Sequence, residues 1–120
     1  MKKIEEQIIK TFRTQFNNNY NTEITLSPHD IVEGYAQDIV IYRLDGRAIF
    51  RYEPKTQRFS FTLAGYNTST TRSRLKALLG SLCKVQLYMK QGKIYLSDNG
   101  VKMGIADNTW YLFKLRKEVI

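Results

Sequence analysis

Apolar residues open the chain at every fourth position. Ile4, Ile8, Phe12 and Phe16 recur in that rhythm with Ile9 beside them, and charged residues fill the remaining positions. The spacing predicts an amphipathic helix over about residues 2–16, its apolar stripe lying on a sheet or serving as a dimerising surface. Asn17-Asn18-Asn19-Tyr20-Asn21 ends it, because Asn tolerates left-handed backbone and disfavours helix interiors. In the next stretch, Thr22-Glu23-Ile24-Thr25-Leu26 alternates like a short strand. Ser27-Pro28-His29-Asp30 carries the signature of a helix start, followed through Tyr35 by about one turn that Gly34 breaks.

From Asp38 the period changes to two. Ile39 to Leu44 and Arg47 to Tyr52 flank Asp45-Gly46, a pair suited to the positive backbone angles of a two-residue type I′ turn, so a hairpin is expected. Pro54 closes its second strand, and Arg58 to Leu63 alternates as a third with Phe59, Phe61 and Leu63 inward. A central helix follows the loop Ala64-Gly65-Tyr66-Asn67-Thr68-Ser69. Ser69 or Thr70 is its expected cap, and Leu75, Leu78, Leu79 and Leu82 form its apolar stripe. The segments 84–90, 93–97, 101–105 and 110–115 are separated by Gln91-Gly92, Asp98-Asn99-Gly100 and Asp107-Asn108, the spacing of an antiparallel meander. The expected class is α+β: a mainly antiparallel sheet, built from a hairpin plus a C-terminal meander, with an N-terminal and a central helix. At 120 residues the chain is expected to be one domain, the helix preceding a body over 22–120.

Charge is divided unevenly along the chain. Residues 1–54 hold seven Lys/Arg against eight Asp/Glu, whereas residues 55–120 hold twelve against three. No acid occurs between Glu53 and Asp98. Such a half generates a positive field whose readiest partner is a polyanion, nucleic acid above all. Cys83 is the only cysteine, so no intrachain disulfide can form; Leu82-Cys83-Lys84-Val85 reads as core. No apolar run approaches the ~20 residues of a membrane span, and a cytoplasmic protein is expected.

The residues argue against an enzyme and against a bound metal or cofactor. His29 is the only histidine, which with one cysteine cannot build a structural zinc site, and no nucleophile motif accompanies it. Glu23, Asp30, Glu33 and Asp38 are the carboxylates available for a magnesium site, but their irregular spacing suits a solvated face. The positive candidate is the loop-to-helix junction 65–74. Thr70, Thr71, Arg72 and Arg74, with Thr68, Ser69 and Ser73, place hydroxyls and guanidiniums where other helices carry acids, and Lys76 follows. That is the chemistry of a phosphate site, and also of a hydroxyl-rich cap on an ordinary helix. A second candidate is the outward row of the strand after the helix, with Lys84, Gln86, Tyr88 and Lys90 opposite Val85, Leu87 and Met89, joined by Lys93 and Tyr95. Interleaved Lys and Tyr offer phosphate contacts and base stacking, yet also occur on any exposed strand. Lys114, Arg116 and Lys117 extend the positive field.

The run Gly65-Tyr66-Asn67-Thr68-Ser69-Thr70-Thr71-Arg72-Ser73-Arg74-Leu75 resembles a Gly-aromatic-x-Thr-x-Thr-Thr loop opening an Arg/Leu helix in small bacteriophage-encoded proteins. The likeness covers roughly 38–97 and departs from the pattern at Lys76, where Asn is expected, and at Tyr66, where Trp is. It implies a phage origin and lends no mechanism. Three roles follow: a non-enzymatic accessory protein that binds nucleic acid, an anti-CRISPR-like inhibitor of a host nucleoprotein complex, or capture of a small anionic nucleotide by a monomer or homodimer.

Overall fold

A computed structural model describes residues 2–18, 23–35, 39–53 and 55–114, with the side chains of residues 16–18 and 35 excepted. The readings placed on Asn19 to Thr22, Asp38, Pro54, Leu115, Arg116 and Lys117 lie outside the described residues. Helix α1 spans Lys3–Asn18. Strands β1 Glu23–Thr25, β2 Asp30–Tyr35, β3 Ile39–Leu44, β4 Arg47–Glu53 and β5 Arg58–Phe61 follow. Helix α2, Ser69–Leu78, runs into a π-helical turn, Leu79–Cys83. The chain closes with β6 Gln86–Lys90, β7 Lys93–Asp98, β8 Val101–Gly104 and β9 Tyr111–Lys114. The fold is α+β, with two antiparallel sheets ordered β1-β2-β3-β4-β5-β9 and β6-β7-β8.

Turn chemistry sets the hairpins. Asp45-Gly46, Gln91-Gly92 and Asn99-Gly100 all hold positive φ at both central residues, the geometry that matches strand twist. Each locks the register beside it: Leu44↔Arg47, Lys90↔Lys93 and Asp98↔Val101. A register shift between Tyr42 and Arg43 leaves Ile49 as an extra residue in β4, so Ile49 and Phe50 are both buried although adjacent.

The larger sheet buries one face in two rows. Val32, Tyr42, Phe50 and Phe61 align across it, as do Gly34, Val40, Tyr52 and Phe59. Ile8, Ile9 and Phe12 of α1 join the same core, with Phe12 set edge-on to Phe50 at 5.3 Å. Leu75, Leu78, Leu79 and Leu82 are fully buried, and Leu87, Ile94 and Leu96 bring the smaller sheet into that one cluster. The π-helical turn keeps both Leu82 and Cys83 inward and ends at Lys84 in the left-handed region. Arg13 of α1 donates to the Ser81 carbonyl at 3.1 Å, satisfying a group that the widened turn exposes.

Two expectations are corrected. Ser27 to Asp30 starts no helix; it turns β1 back into β2. The Ser27 hydroxyl accepts from the amides of His29 and Asp30 at 3.0 and 3.1 Å, while the Leu26 amide donates to the Asp30 carbonyl at 2.8 Å. Serine bonds its own backbone in the same way in a cap and in a turn, and Val32, buried opposite Tyr42, decides for a strand. The C-terminal meander is also one strand shorter than expected. β9 leaves it for β5, where Tyr111 stacks on Phe61 at 5.5 Å and Phe113 on Phe59 at 6.0 Å. Aromatic cross-strand pairing outweighs the proximity of β9 to β8 in sequence.

Candidate nucleic-acid interface

The α2 N-terminus is capped by Thr68, one residue ahead of Ser69 and two ahead of Thr70, the caps expected. Its hydroxyl accepts from the Thr71 amide at 3.2 Å and pairs with the Thr71 hydroxyl at 3.0 Å, which buries Thr71. The first turn carries no acid. Arg72 folds back over this end, its Nη1 donating to the Asn67 carbonyl at 3.0 Å and to Asn67 Oδ1 at 2.5 Å. Ser69, Thr70 and Lys76 are exposed.

Arg74 takes no part in this end, contrary to the expectation placed on it. Its side chain is 11% exposed, with Nε donating to Asp30 Oδ1 at 2.9 Å and Nη1 lying 3.5 Å from Glu5 Oε2. Ser73 donates to the same Glu5 carboxylate, and Ser27 and Tyr42 donate to Asp30. This network joins α1, β2, β3 and α2. Burial alone would push the Asp30 carboxyl up, but hydrogen bonds from Arg74, Ser27 and Tyr42 and the charge of Arg74 bring it below the usual carboxylate range. Burial first, then the Asp30 carboxylate, pushes the Tyr42 phenol far up. With Thr71 and Arg74 turned inward, the junction keeps fewer donors for a small nucleotide than the sequence suggests.

The smaller sheet brings the second set of candidates together. Directly opposed residues share a face, which places Gln86, Ser97 and Lys102 in one row, Tyr88, Tyr95 and Gly104 in the next, and Lys90 with Lys93 at the end. Tyr88 and Tyr95 stack with centroids 5.7 Å apart and rings inclined by 23°. Three lysines surround them, all exposed, and no strand residue on this face is acidic. The other face turns Leu87, Ile94 and Leu96 into the core, although Met89, expected inward, is exposed near the end of β6. Lys84 is exposed where the π-helical turn enters β6.

The two candidate regions adjoin. A concavity of about 320 Å³ is lined by Ser69, Arg72, Ser73 and Lys76 from α2 and by Leu87, Tyr88, Met89 and Ile94 of the smaller sheet, mostly from its core-facing side. A second, of about 620 Å³, is lined by Asn67, Lys93, Tyr95, Gly104 and Asp107, among others. Asn67 and its partner Arg72 thus line neighbouring hollows. The Arg47 guanidinium lies 3.6 Å from the ring centre of exposed Tyr66 and adds charge beside this loop. The sequence reading missed Arg47, Lys102 and Gly104. Lys102 was within reach of it, because a two-residue Asn99-Gly100 turn with Asp98 facing Val101 sets Lys102 opposite Ser97.

Elsewhere, His29 Nδ1 meets Asp45 Oδ1 at 2.6 Å on the exposed side, pinning two turns together. Among the described residues no group of three or more His, Cys, Asp or Glu side chains is placed to hold a metal ion. No helix among them is long and apolar enough to cross a membrane. No curated protein and no solved structure matches the chain. The family model described as Kyanoviridae Gp96 protein matches residues 1–113, nearly the whole length, and the chain belongs to that bacteriophage protein family.

Proposed function

We propose that this phage protein binds nucleic acid without acting on it chemically, as an accessory factor inside the infected cell. The observation that carries the reading is the open face of the smaller sheet, where Lys90, Lys93 and Lys102 surround the Tyr88–Tyr95 stack and none of the strand residues on that face is acidic. Arg72 and Lys76 add positive charge beside it, on a hollow walled mostly by the core-facing side of the same sheet. Phosphates carry most of the affinity in such an arrangement, and sequence preference is weak. Fluorescence anisotropy with labelled DNA and RNA, single-stranded and duplex, over a salt series tests it. Log affinity should fall linearly with log salt, and each Lys→Gln change at 90, 93 or 102 should reduce the slope by about 1. Absence of binding to every oligonucleotide at low salt overturns the reading.

A second reading, inhibition of a host nucleoprotein complex, draws on a different surface. Val101, Met103 and Leu112 are exposed apolar side chains around a groove of about 460 Å³ between the two sheets, where a protein partner would find apolar contact. Recovery of one host protein by pull-down after nuclease treatment, lost on Leu112→Lys, would favour it over the first.

A further inference from the structure

We infer that the ligand of the lysine–tyrosine face is single-stranded, and that one of its bases stacks on Tyr95 in the space above Gly104. The inference rests on the nucleic-acid reading of this face and names its substrate. Tyr88 and Tyr95 each give one ring face to the other. The strand neighbour on the far side of Tyr95 is Gly104, directly opposite it on β8.

That glycine has no structural excuse. Gly46, Gly65, Gly92 and Gly100 all hold positive φ, where side chains are strained. Gly104 is outside that region, and a Cβ built on it meets nothing within 4 Å. A strand residue without a side chain weakens the sheet, so neither backbone geometry nor packing accounts for it. Its effect is to leave the second face of Tyr95 bare, a platform for a flat ring.

The surroundings sort base from phosphate. Asp107 is the one carboxylate on the wall of the hollow that Tyr95 and Gly104 share, and it repels a phosphate there. Lys90, Lys93 and Lys102 stand on the same sheet face in the rows on either side of the tyrosine row, where the backbone would run. Asn67 lines the same hollow with its Oδ1 committed to Arg72, which leaves its amide NH₂ to donate to a base edge. Duplex is the poorer partner. Its bases are stacked on one another, and its major groove admits a helix or a two-stranded ribbon rather than a three-stranded face.

Gly104→Val tests this, since Val favours strand structure while filling the space over the ring. A labelled oligothymidylate and a duplex of equal length are titrated against wild type, Gly104→Val, Tyr95→Ala and Tyr95→Phe at one salt concentration, with thermal unfolding recorded for each. The expected result is a loss of about tenfold in single-strand affinity for Gly104→Val and Tyr95→Ala. Tyr95→Phe should retain binding, duplex affinity should be unchanged, and Gly104→Val should melt no lower than wild type. If Gly104→Val binds the single strand like wild type, or if wild type prefers duplex, the stacking site is wrong while the nucleic-acid reading survives. If wild type binds neither at low salt, both fall.

Discussion

Arg74 donates from Nε to Oδ1 of Asp30 across 2.9 Å, and the contact fastens the central helix to β2 inside the protein. Arg72, two residues earlier, sends its side chain to Asn67 at the surface of the same helix. Truncating these two arginines should have opposite consequences. Arg74→Ala leaves the Asp30 carboxylate buried without its cation and should cost about 3–5 kcal/mol in urea unfolding. Arg72→Ala should change stability by about 0.5 kcal/mol or less and act instead on nucleic-acid affinity. Equal destabilisation by both would contradict the network described for Arg74.

The contrast shows what the sequence disclosed and where it stopped. The three X-Gly hairpin turns and the leucine stripe of α2 were legible because a few adjacent residues set backbone angle or helical face. The inward turn of Thr71 and Arg74 was legible in principle: stepping back four residues from Leu75 and Leu78 lands on each, so both continue the buried stripe. Hydroxyl and guanidinium chemistry drew attention to the surface, whereas helical period placed them inside. Asp30 and Glu5, the carboxylates that make burial of Arg74 tolerable, lie 44 and 69 residues away. No local pattern announces such partners. The strand at Asp30 and the move of β9 to β5 were hidden for the same reason, since each depends on a distant aromatic neighbour.

Stability should be flat through neutral pH and fall at both ends. The folded Asp30 carboxyl lies below its ordinary 3.8, so the unfolded chain takes up the proton first as pH falls. Its contribution is full above that value and disappears on further acidification. Tyr42 and Cys83 are raised above their ordinary 10.0 and 9.0, so the unfolded chain releases those protons first as pH rises, and stability declines above about pH 9. Melting temperature against pH should show this plateau. Asp30→Asn should flatten the acid limb and Tyr42→Phe the more alkaline one, each from a lower maximum.

Cys83 should be inert until the protein unfolds. Its side chain is buried beside Leu82 at the end of the π-helical turn, and burial pushes the thiol well above its ordinary range, with the Asp98 charge adding to the effect. A chromogenic disulfide reagent should leave the native protein unlabelled at neutral pH and modify one thiol per chain in urea. Rapid labelling without denaturant would show the turn to be open.

Gly65, in the loop that carries Asn67 and Thr68, should be the least replaceable of the four positive-φ glycines among the described residues. It holds φ of +80°, and its amide donates to the Asp107 carbonyl at 2.8 Å, tying the loop to the turn before β9. A Cβ at this position would lie 2.6 Å from Asn108 Oδ1. Two costs are therefore combined in Gly65→Ala: left-handed backbone, about 1–2 kcal/mol, and a collision with the end of a short side chain. Rotation of Asn108 can relieve the second but not the first. Asn108→Ala in the Gly65→Ala background should therefore recover only a few tenths of a kcal/mol. The loop also carries Asn67, which lines the same hollow as Tyr95. Gly65→Ala should accordingly weaken single-strand binding at temperatures where the variant remains folded. Recovery of full stability in the double variant would place the cost in the collision alone and leave the backbone term without support.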